Sequence, residues 1–148
     1  MAQTTTAQVL NDSVIEVSTD DATWTDISGA MNSFEPSGGD RKAGAGHSLA
    51  SDSPIVRAGK PGEVTVKMKI YYTETAGEAT TLLQAWYLAN TPVYLRQKPK
   101  GTLATYWQFK GLGYFLKPVF PTSDSENEKP VVLDLSWTGS NLLQSAQS

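Results

Sequence analysis

The sequence predicts a mainly β fold, an antiparallel β-sandwich or barrel of about seven or eight strands with one packed α-helix. Short runs of β-branched and aromatic residues recur with a period of two, separated by turn residues. A single segment, beginning near residue 75, changes to the spacing of an amphipathic helix. Because 148 residues suit one domain, we expect a single domain over residues 1–148.

The first predicted element is a β-hairpin. Residues 14–18 and 23–27 are β-like, and the four residues between them have turn chemistry. Asp20 and Asp21 lie in this turn, where an aspartate side chain accepts hydrogen bonds from backbone N–H groups two residues onward.

A long polar segment, residues 36–54, follows the hairpin. Leu49 is its only large aliphatic residue, and we expect the segment to lack secondary structure. Such a loop is uncommon inside a compact domain, where it is typically functional or a linker. Too few residues precede it to form a second domain, so we interpret it as an extended inter-subunit arm. Its predicted contact residues are Gly38, Gly39, Asp40, Arg41, Lys42, Gly44, Gly46, His47 and Leu49.

The middle of the chain predicts a strand followed by the helix. Residues 63–72 alternate strictly, with Val64, Val66, Met68 and Ile70 on the inward side. The Thr-Ala-Gly-Glu sequence at 75–78 matches a capping box, which predicts the start of a helix of about four turns. Its end is predicted by Asn90 as a left-handed cap and by Pro92.

The C-terminal part predicts three or four further strands, over residues 93–97, 103–110, 114–120 and 131–137. Gly111 and Gly113 interrupt this pattern and predict a bulge or bend. Residues 121–129 are expected to form a solvated loop. Residues 140–148 are polar and are expected to form a flexible C-terminal tail.

Charge is distributed unevenly along the chain. Residues 1–40 contain seven acidic residues and no basic one, whereas residues 41–117 contain eleven basic and four acidic residues. This asymmetry can reflect attraction between one subunit and the next, or a nucleic-acid or membrane patch. It can equally cancel within one folded subunit. Under the first interpretation the electrostatic assembly contacts are Asp20, Asp21, Lys98 and Lys100.

No pattern of catalytic or cofactor-binding residues stands out. The chain has no cysteine and one histidine, His47, which we interpret as a surface residue of the arm. The acidic residues at 124–128 resemble a calcium loop only weakly, because the required glycine and closing glutamate are absent. We therefore expect no enzyme activity, no metal and no cofactor. Without an apolar run long enough for a membrane span or a signal peptide, we expect no membrane anchor and synthesis in a cytoplasm.

The aromatic residues leave two alternatives open. The four tryptophans, Trp24, Trp86, Trp107 and Trp137, fit a core better than a carbohydrate-binding platform, because all lie in patterned segments. Lysines flank Tyr106 and Trp107, a combination found in proteins that bind single-stranded nucleic acid and equally in hairpins with a solvated basic rim. A carbohydrate-binding or adhesion β-sandwich module remains the alternative function.

The order of these segments resembles the major tail-tube proteins of long-tailed, non-contractile bacteriophages. The resemblance is carried by the hairpin at 14–29, the Gly-rich arm, the strand at 63–74, the single helix and the closing Leu-Asp-Leu-Ser-Trp-Thr-Gly at 133–139. It spans most of the chain and includes no fixed active-site motif.

This resemblance implies a structural virion protein that assembles in the host cytoplasm. Six subunits would form a ring, and stacked rings would form the tail tube through which DNA leaves the virion without being bound specifically. The resemblance also implies tape measure, tail terminator and distal tail proteins as partners. Unpaired sheet edges and a filament-forming head-to-tail interface agree with such an assembly on physical grounds.

Overall fold

The computed structural model describes residues 8, 10, 12–123, 125 and 129–147. This part of the chain forms ten strands, one α-helix and a short 3₁₀ helix, which confirms the expected mainly β class with a single helix. The elements are β1 (Val14–Ser18), β2 (Thr25–Asp26), the 3₁₀ helix (Ser28–Ala30), β3 (Met31–Gly38), β4 (Arg41–Gly46), β5 (Ile55–Pro61), β6 (Val64–Tyr71), α1 (Ala79–Ala89), β7 (Val93–Lys98), β8 (Trp107–Phe115), β9 (Val132–Gly139) and β10 (Leu143–Ala146).

Eight strands form one antiparallel sheet in the order β2-β1-β7-β8-β9-β6-β3, with β10 as an additional partner of β8. β9 pairs with β6 along its whole length, but with β8 only through residues 137–139. At this short junction the sheet folds into two layers, and side chains from both layers meet in one core. β4 and β5 form a separate two-stranded hairpin.

The core is built from the alternation that the sequence predicts. Val66, Met68 and Ile70 of β6 are buried, and β9 contributes a matching inward row that ends at Trp137. The Trp137 indole N–H donates to the Val93 carbonyl oxygen at 3.2 Å, which satisfies its polar atom inside the core. The expected core position is correct for Trp137 and wrong for Trp107, which is 59% exposed.

Helix α1 differs from its prediction at its start. It has 11 residues, about three turns, and Glu78 is the N-cap with no side-chain capping bond, so the predicted capping box is wrong. Gly77 adopts a φ of 84°, and the Glu78 N–H bonds the Thr75 carbonyl at 3.3 Å. Thr75 therefore belongs to a preceding turn. The left-handed cap at Asn90 is confirmed by a φ of 53°.

The predicted bulge near Gly111 and Gly113 lies on the partner strand instead. β8 runs unbroken through both glycines, whereas the register of its neighbour shifts by one residue between β9 and β10, at residues 140–142. A Cβ at Gly111 would collide with the Asn141 carbonyl oxygen, and one at Gly113 with that of Thr138. The glycines therefore permit close backbone approach at the fold of the sheet.

Two C-terminal expectations are corrected. The two strands expected over residues 103–110 and 114–120 form one shorter strand, β8, because residues 104–106 form a turn and β8 ends at Phe115. The tail expected to be flexible contains β10, which pairs with residues 107–110 of β8. The buried Gln147 side chain holds its end by donating to the Gly101 carbonyl oxygen at 2.8 Å.

Candidate assembly surfaces

The arm predicted over residues 36–54 is more ordered than expected. Residues 36–38 complete β3, and β4 occupies residues 41–46, so the expectation of no secondary structure is wrong there. Backbone bonding to β5 explains the strand, although glycine, alanine and lysine have little intrinsic β preference. Within the arm, residues 39–40 and 47–54 remain irregular.

The predicted arm contact residues lie between the end of β3 and the tip that connects β4 to β5. Gly38 ends β3, Gly39 and Asp40 connect the strands, and His47 and Leu49 lie at the tip. The remaining four belong to β4, namely Arg41, Lys42, Gly44 and Gly46. Gly38 and Gly39 have φ angles of 93° and 76°, which reorient the chain between β3 and β4.

The β4–β5 hairpin is exposed on all sides. Every residue of both strands is exposed, and Leu49 at the tip is fully so. Register pairs place small apolar side chains on one face, namely Ala43, Ala45, Val56 and Ala58. A two-stranded hairpin alone is only marginally stable in water, so this ribbon is suited to being covered by another surface.

The four predicted electrostatic contacts all have partners within the subunit. Asp21 forms an ion pair with Lys110 at 3.0 Å, and Lys98 pairs with Glu16 at 2.9 Å. Lys100 lies over the Tyr106 ring, 4.3 Å from its centroid. Part of the charge asymmetry along the chain is therefore compensated inside one copy.

Asp20, the fourth of them, organises the β1–β2 turn as the sequence predicts. Its carboxylate accepts backbone N–H bonds from Thr23 at 2.8 Å and Ala22 at 2.9 Å, and the Ser18 hydroxyl donates to it at 2.9 Å. These bonds lower the pKa of Asp20 to about 2, because they stabilise the charged form.

A charged cluster on β1 and β7 was not predicted. Glu16 lies between Arg96 and Lys98, each 2.9 Å away, and the Arg96 guanidinium stacks on Trp24 at 3.9 Å from the ring centroid. Burial raises the pKa of Glu16, but hydrogen bonds and charges from both basic groups outweigh it and leave the pKa below its usual value. In the sequence, the only sign of this pairing between two distant segments was the uneven distribution of acidic and basic residues along the chain.

Strand edges are available for pairing with further chains. In the described sheet, β3 pairs only with β6, so its other edge, eight residues long, has no strand partner. At the opposite end of the sheet, the edge strand β2 has only two residues. The edge of β8 is partly paired with β10. A long unpaired edge favours continuation of the sheet into another molecule.

The outward face of β3, β6 and β9 is polar. Glu35 lies directly opposite Lys67, and Lys69 directly opposite Asp134, so charges of opposite sign alternate across the three strands. These side chains are exposed. The face is therefore nearly neutral and well hydrated.

The outward side of β8 is apolar by contrast. Leu112 and Tyr114 of β8 and Leu116, directly after its end, are exposed at every second position, with exposed fractions of 39%, 40% and 60%. Contiguous exposed apolar side chains typically mark a contact surface. The polar face and this apolar stripe meet where β8 adjoins β9.

Within the described part of the chain, no three His, Cys, Asp or Glu side chains are grouped to hold a metal ion. The acidic segment at 124–128, for which no metal is expected, lies mostly outside the described residues. Among the described residues, no helix has the length and apolar character needed to cross a membrane.

Solved structures with the same fold come from tail and injection-tube assemblies. The chain is similar to a protein in the tail of an empty gene transfer agent particle determined with C6 symmetry, at 9% identity and a TM-score of 0.69, covering 96% of this chain and 100% of the other. A chain of the PVC sheath–tube complex in its extended state gives 10% identity and 0.69, covering 96% and 93%. The SPP1 tail tube gives 16% identity and 0.63, covering 92% and 77%.

These similarities establish that the chain has the tail-tube fold. No protein-family model and no curated protein sequence matches it.

Proposed function

We propose that this protein is the structural subunit of a phage-type tail tube, built from hexameric rings that stack into a conduit for genome delivery. The observation that carries the proposal is the shared fold over nearly the whole chain with tail and tube proteins of three different assemblies. Six subunits per ring is supported by the C6 symmetry of the gene transfer agent tail. In this role the chain is a virion protein and not an enzyme.

Ring formation would use the unpaired sheet edges. The free edge of β3 is eight residues long and presents the backbone groups of about every second residue without a strand partner, so a neighbouring subunit that adds a strand there satisfies these groups. The apolar stripe on β8 would be covered in the same assembly, because its exposure in an isolated subunit is unfavourable.

Stacking of rings would use the arm. Its Gly-rich strands contribute nothing to the core, and it carries Arg41 and Lys42 towards any acidic neighbouring surface. Because both strands of the hairpin are exposed in one subunit, they are accessible to a neighbouring ring.

The channel wall would be the polar face of β3, β6 and β9. DNA slides only if few lysine–phosphate contacts form, because several such contacts give tight, salt-dependent binding. Lys67 and Lys69 on this face lie opposite acidic residues, which limits their attraction for phosphate. DNA would therefore pass without specific binding.

The partners would be further copies of this chain and the proteins at the tube ends. Solved structures with this fold include a sheath–tube terminator and a tube-terminating cap. By the same proposal, tape measure and distal tail proteins contact the tube, and assembly takes place in the host cytoplasm before the tail joins the virion.

Electrostatic contacts between copies remain part of the proposal for Asp20, Asp21, Lys98 and Lys100. Raising the salt concentration would slow polymerisation if such contacts contribute, since exposed charges are screened beyond about 8 Å at physiological ionic strength. A polymerisation rate that does not change with salt would contradict them and favour charge compensation within one subunit.

Size-exclusion chromatography with light scattering, over a range of protein concentrations, tests the proposed function. We expect the mass to rise from subunit to ring and larger multiples. A mass that stays at 16.0 kDa at every concentration would contradict it. Sugar binding by such a persistent monomer would favour the carbohydrate-binding alternative.

A further inference from the structure

An apolar groove lies at the end of the sheet where β7 leads into β8. It has a volume of about 470 Å³, and its main walls are Leu10, Pro99, Tyr106, Trp107 and Phe109. Trp107 and Leu10 are 59% and 51% exposed, so the groove is open to solvent in this subunit. Burying this surface would stabilise any complex that covers it.

Leu49 is an exposed apolar side chain, which suits an apolar groove. It lies at the tip of the β4–β5 hairpin, and its side chain is fully exposed, so it has no packing partner among the residues that the structure describes. The hairpin root, at Arg41 and Pro61, lines a second cleft together with Phe109, which is also a wall of the groove. The tip lies about 20 Å farther along the ribbon, given a rise of about 3.3 Å for each of the six residues of β4.

The charges at the two surfaces are complementary. Asp52 is the only formally charged residue among residues 47–54 at the tip. Among the described residues that line the groove, Lys100 is the only one with a formally charged side chain. A hairpin tip that inserts Leu49 into the groove would bring the Asp52 carboxylate towards the Lys100 ammonium group at the rim of the groove.

We infer that the groove receives Leu49 from a second copy of this chain, with Asp52 of that copy beside Lys100. This inference rests on the proposed tube assembly and names the surface that the arm contacts. It explains why the groove and the hairpin tip both lack cover in one subunit. The residue that fills the groove belongs to another subunit.

Disulfide trapping tests the contact directly, because the chain contains no cysteine. Thr105 lines the groove, so the pair Leu49→Cys and Thr105→Cys in one chain places thiols on both sides of the proposed contact. The matched control combines Leu49→Cys with Leu88→Cys. Leu88 is 71% exposed and lies on α1, which leads into the start of β7, whereas the groove lies at the end of β7. Assembled samples are oxidised mildly and separated on a denaturing gel.

We expect a ladder of covalent oligomers for the Leu49–Thr105 pair that disappears with reductant, and little linkage for the control. Tubes that form normally but run as monomers on the gel would overturn the groove contact alone. Equal ladders for both pairs, or an intramolecular link, would overturn it as well. Failure of the unmodified chain to assemble would contradict the proposed function and, with it, this inference.

Two sets of substitutions measure how much Leu49 and the Asp52–Lys100 pair contribute to the free energy of assembly. Leu49→Asp should raise the protein concentration needed for assembly about ten- to hundredfold, the loss expected for a buried leucine, without changing the unfolding temperature. Asp52→Lys and Lys100→Asp should each raise it roughly two- to fivefold, and the double exchange should restore it. An unchanged concentration for Leu49→Asp, or a double exchange no better than the single ones, would contradict the contact.

Discussion

Removing the β4–β5 hairpin should leave the subunit folded and abolish tubes. The variant replaces residues 40–62 with a four-residue Gly-Ser turn. The Gly39 N–H bonds the Glu63 carbonyl oxygen at 2.9 Å, so the two ends are already adjacent. No residue of this segment belongs to the hydrophobic core, which remains complete in the variant.

The expected change in the free energy of unfolding is small. Shortening the connection from 23 to four residues favours folding by about 1.5 kcal/mol through loop-closure entropy. Uncovering part of the Phe109 and Leu143 side chains, which line one cleft together with the hairpin root, costs on the order of 1 kcal/mol. The unfolding temperature should therefore change by less than about 4 °C.

The assay combines thermal unfolding followed by circular dichroism with electron microscopy of the same samples. A second variant keeps the hairpin and replaces only residues 48–51 with four Gly-Ser residues, so that a loss of tubes in this variant is assigned to the tip that contains Leu49. The variant without the hairpin should unfold cooperatively and form no tubes. Long tubes would refute the assembly role of the arm, and an unfolded variant would refute its independence from the core.

Four other predictions concern stability and the channel. Trp137→Ala should destabilise the subunit by about 3–5 kcal/mol, measured by urea unfolding, because it leaves a cavity and frees the Val93 carbonyl. Gly113→Ala should cost about 1–3 kcal/mol in the same assay, because its methyl group meets the Thr138 carbonyl oxygen, and an unchanged midpoint would contradict that close approach. In the folded state the pKa of Asp20 is lowered from 3.8 to about 2. The ionised carboxylate therefore contributes its full stabilisation of the fold above about pH 4, and this contribution is lost as the pH falls towards 2. Asp20→Asn should flatten the pH dependence of the free energy of unfolding in that window only. Assembled tubes should not retain duplex DNA at about 0.15 M salt, and retention in a sedimentation assay would contradict a nearly neutral channel.

The sequence predicted the elements whose burial alternates locally. β6 and β9 follow the period of two directly, because each has one face in the core and one outside. The end of α1 at Asn90 was equally predictable, since a left-handed cap is a local property of the backbone.

The elements that were missed are stabilised by distant partners. β10 is exposed along its length, and its position depends on pairing with β8 and on the buried amide of Gln147. β4 has a composition unfavourable for strands and is held by its ladder with β5. Neither partner is recognisable from the local pattern.

The charge pattern shows the same limit at the candidate assembly surfaces. Seven acidic residues in the first forty indicated that charge compensation would occur, but not whether within or between copies. The structure pairs Glu16 with Arg96 and Lys98 inside one subunit, across about eighty residues of sequence. Such pairings depend on which strands become neighbours, and that is a property of the whole fold.

Electron microscopy of the purified, concentrated protein tests the tube assembly most directly. We expect hollow tubes of uniform diameter in side view and six-fold symmetric rings in end view. Averaged end views with a different symmetry would contradict the hexameric ring. Monodisperse particles the size of one subunit, under all conditions that keep the protein folded, would contradict the tube itself.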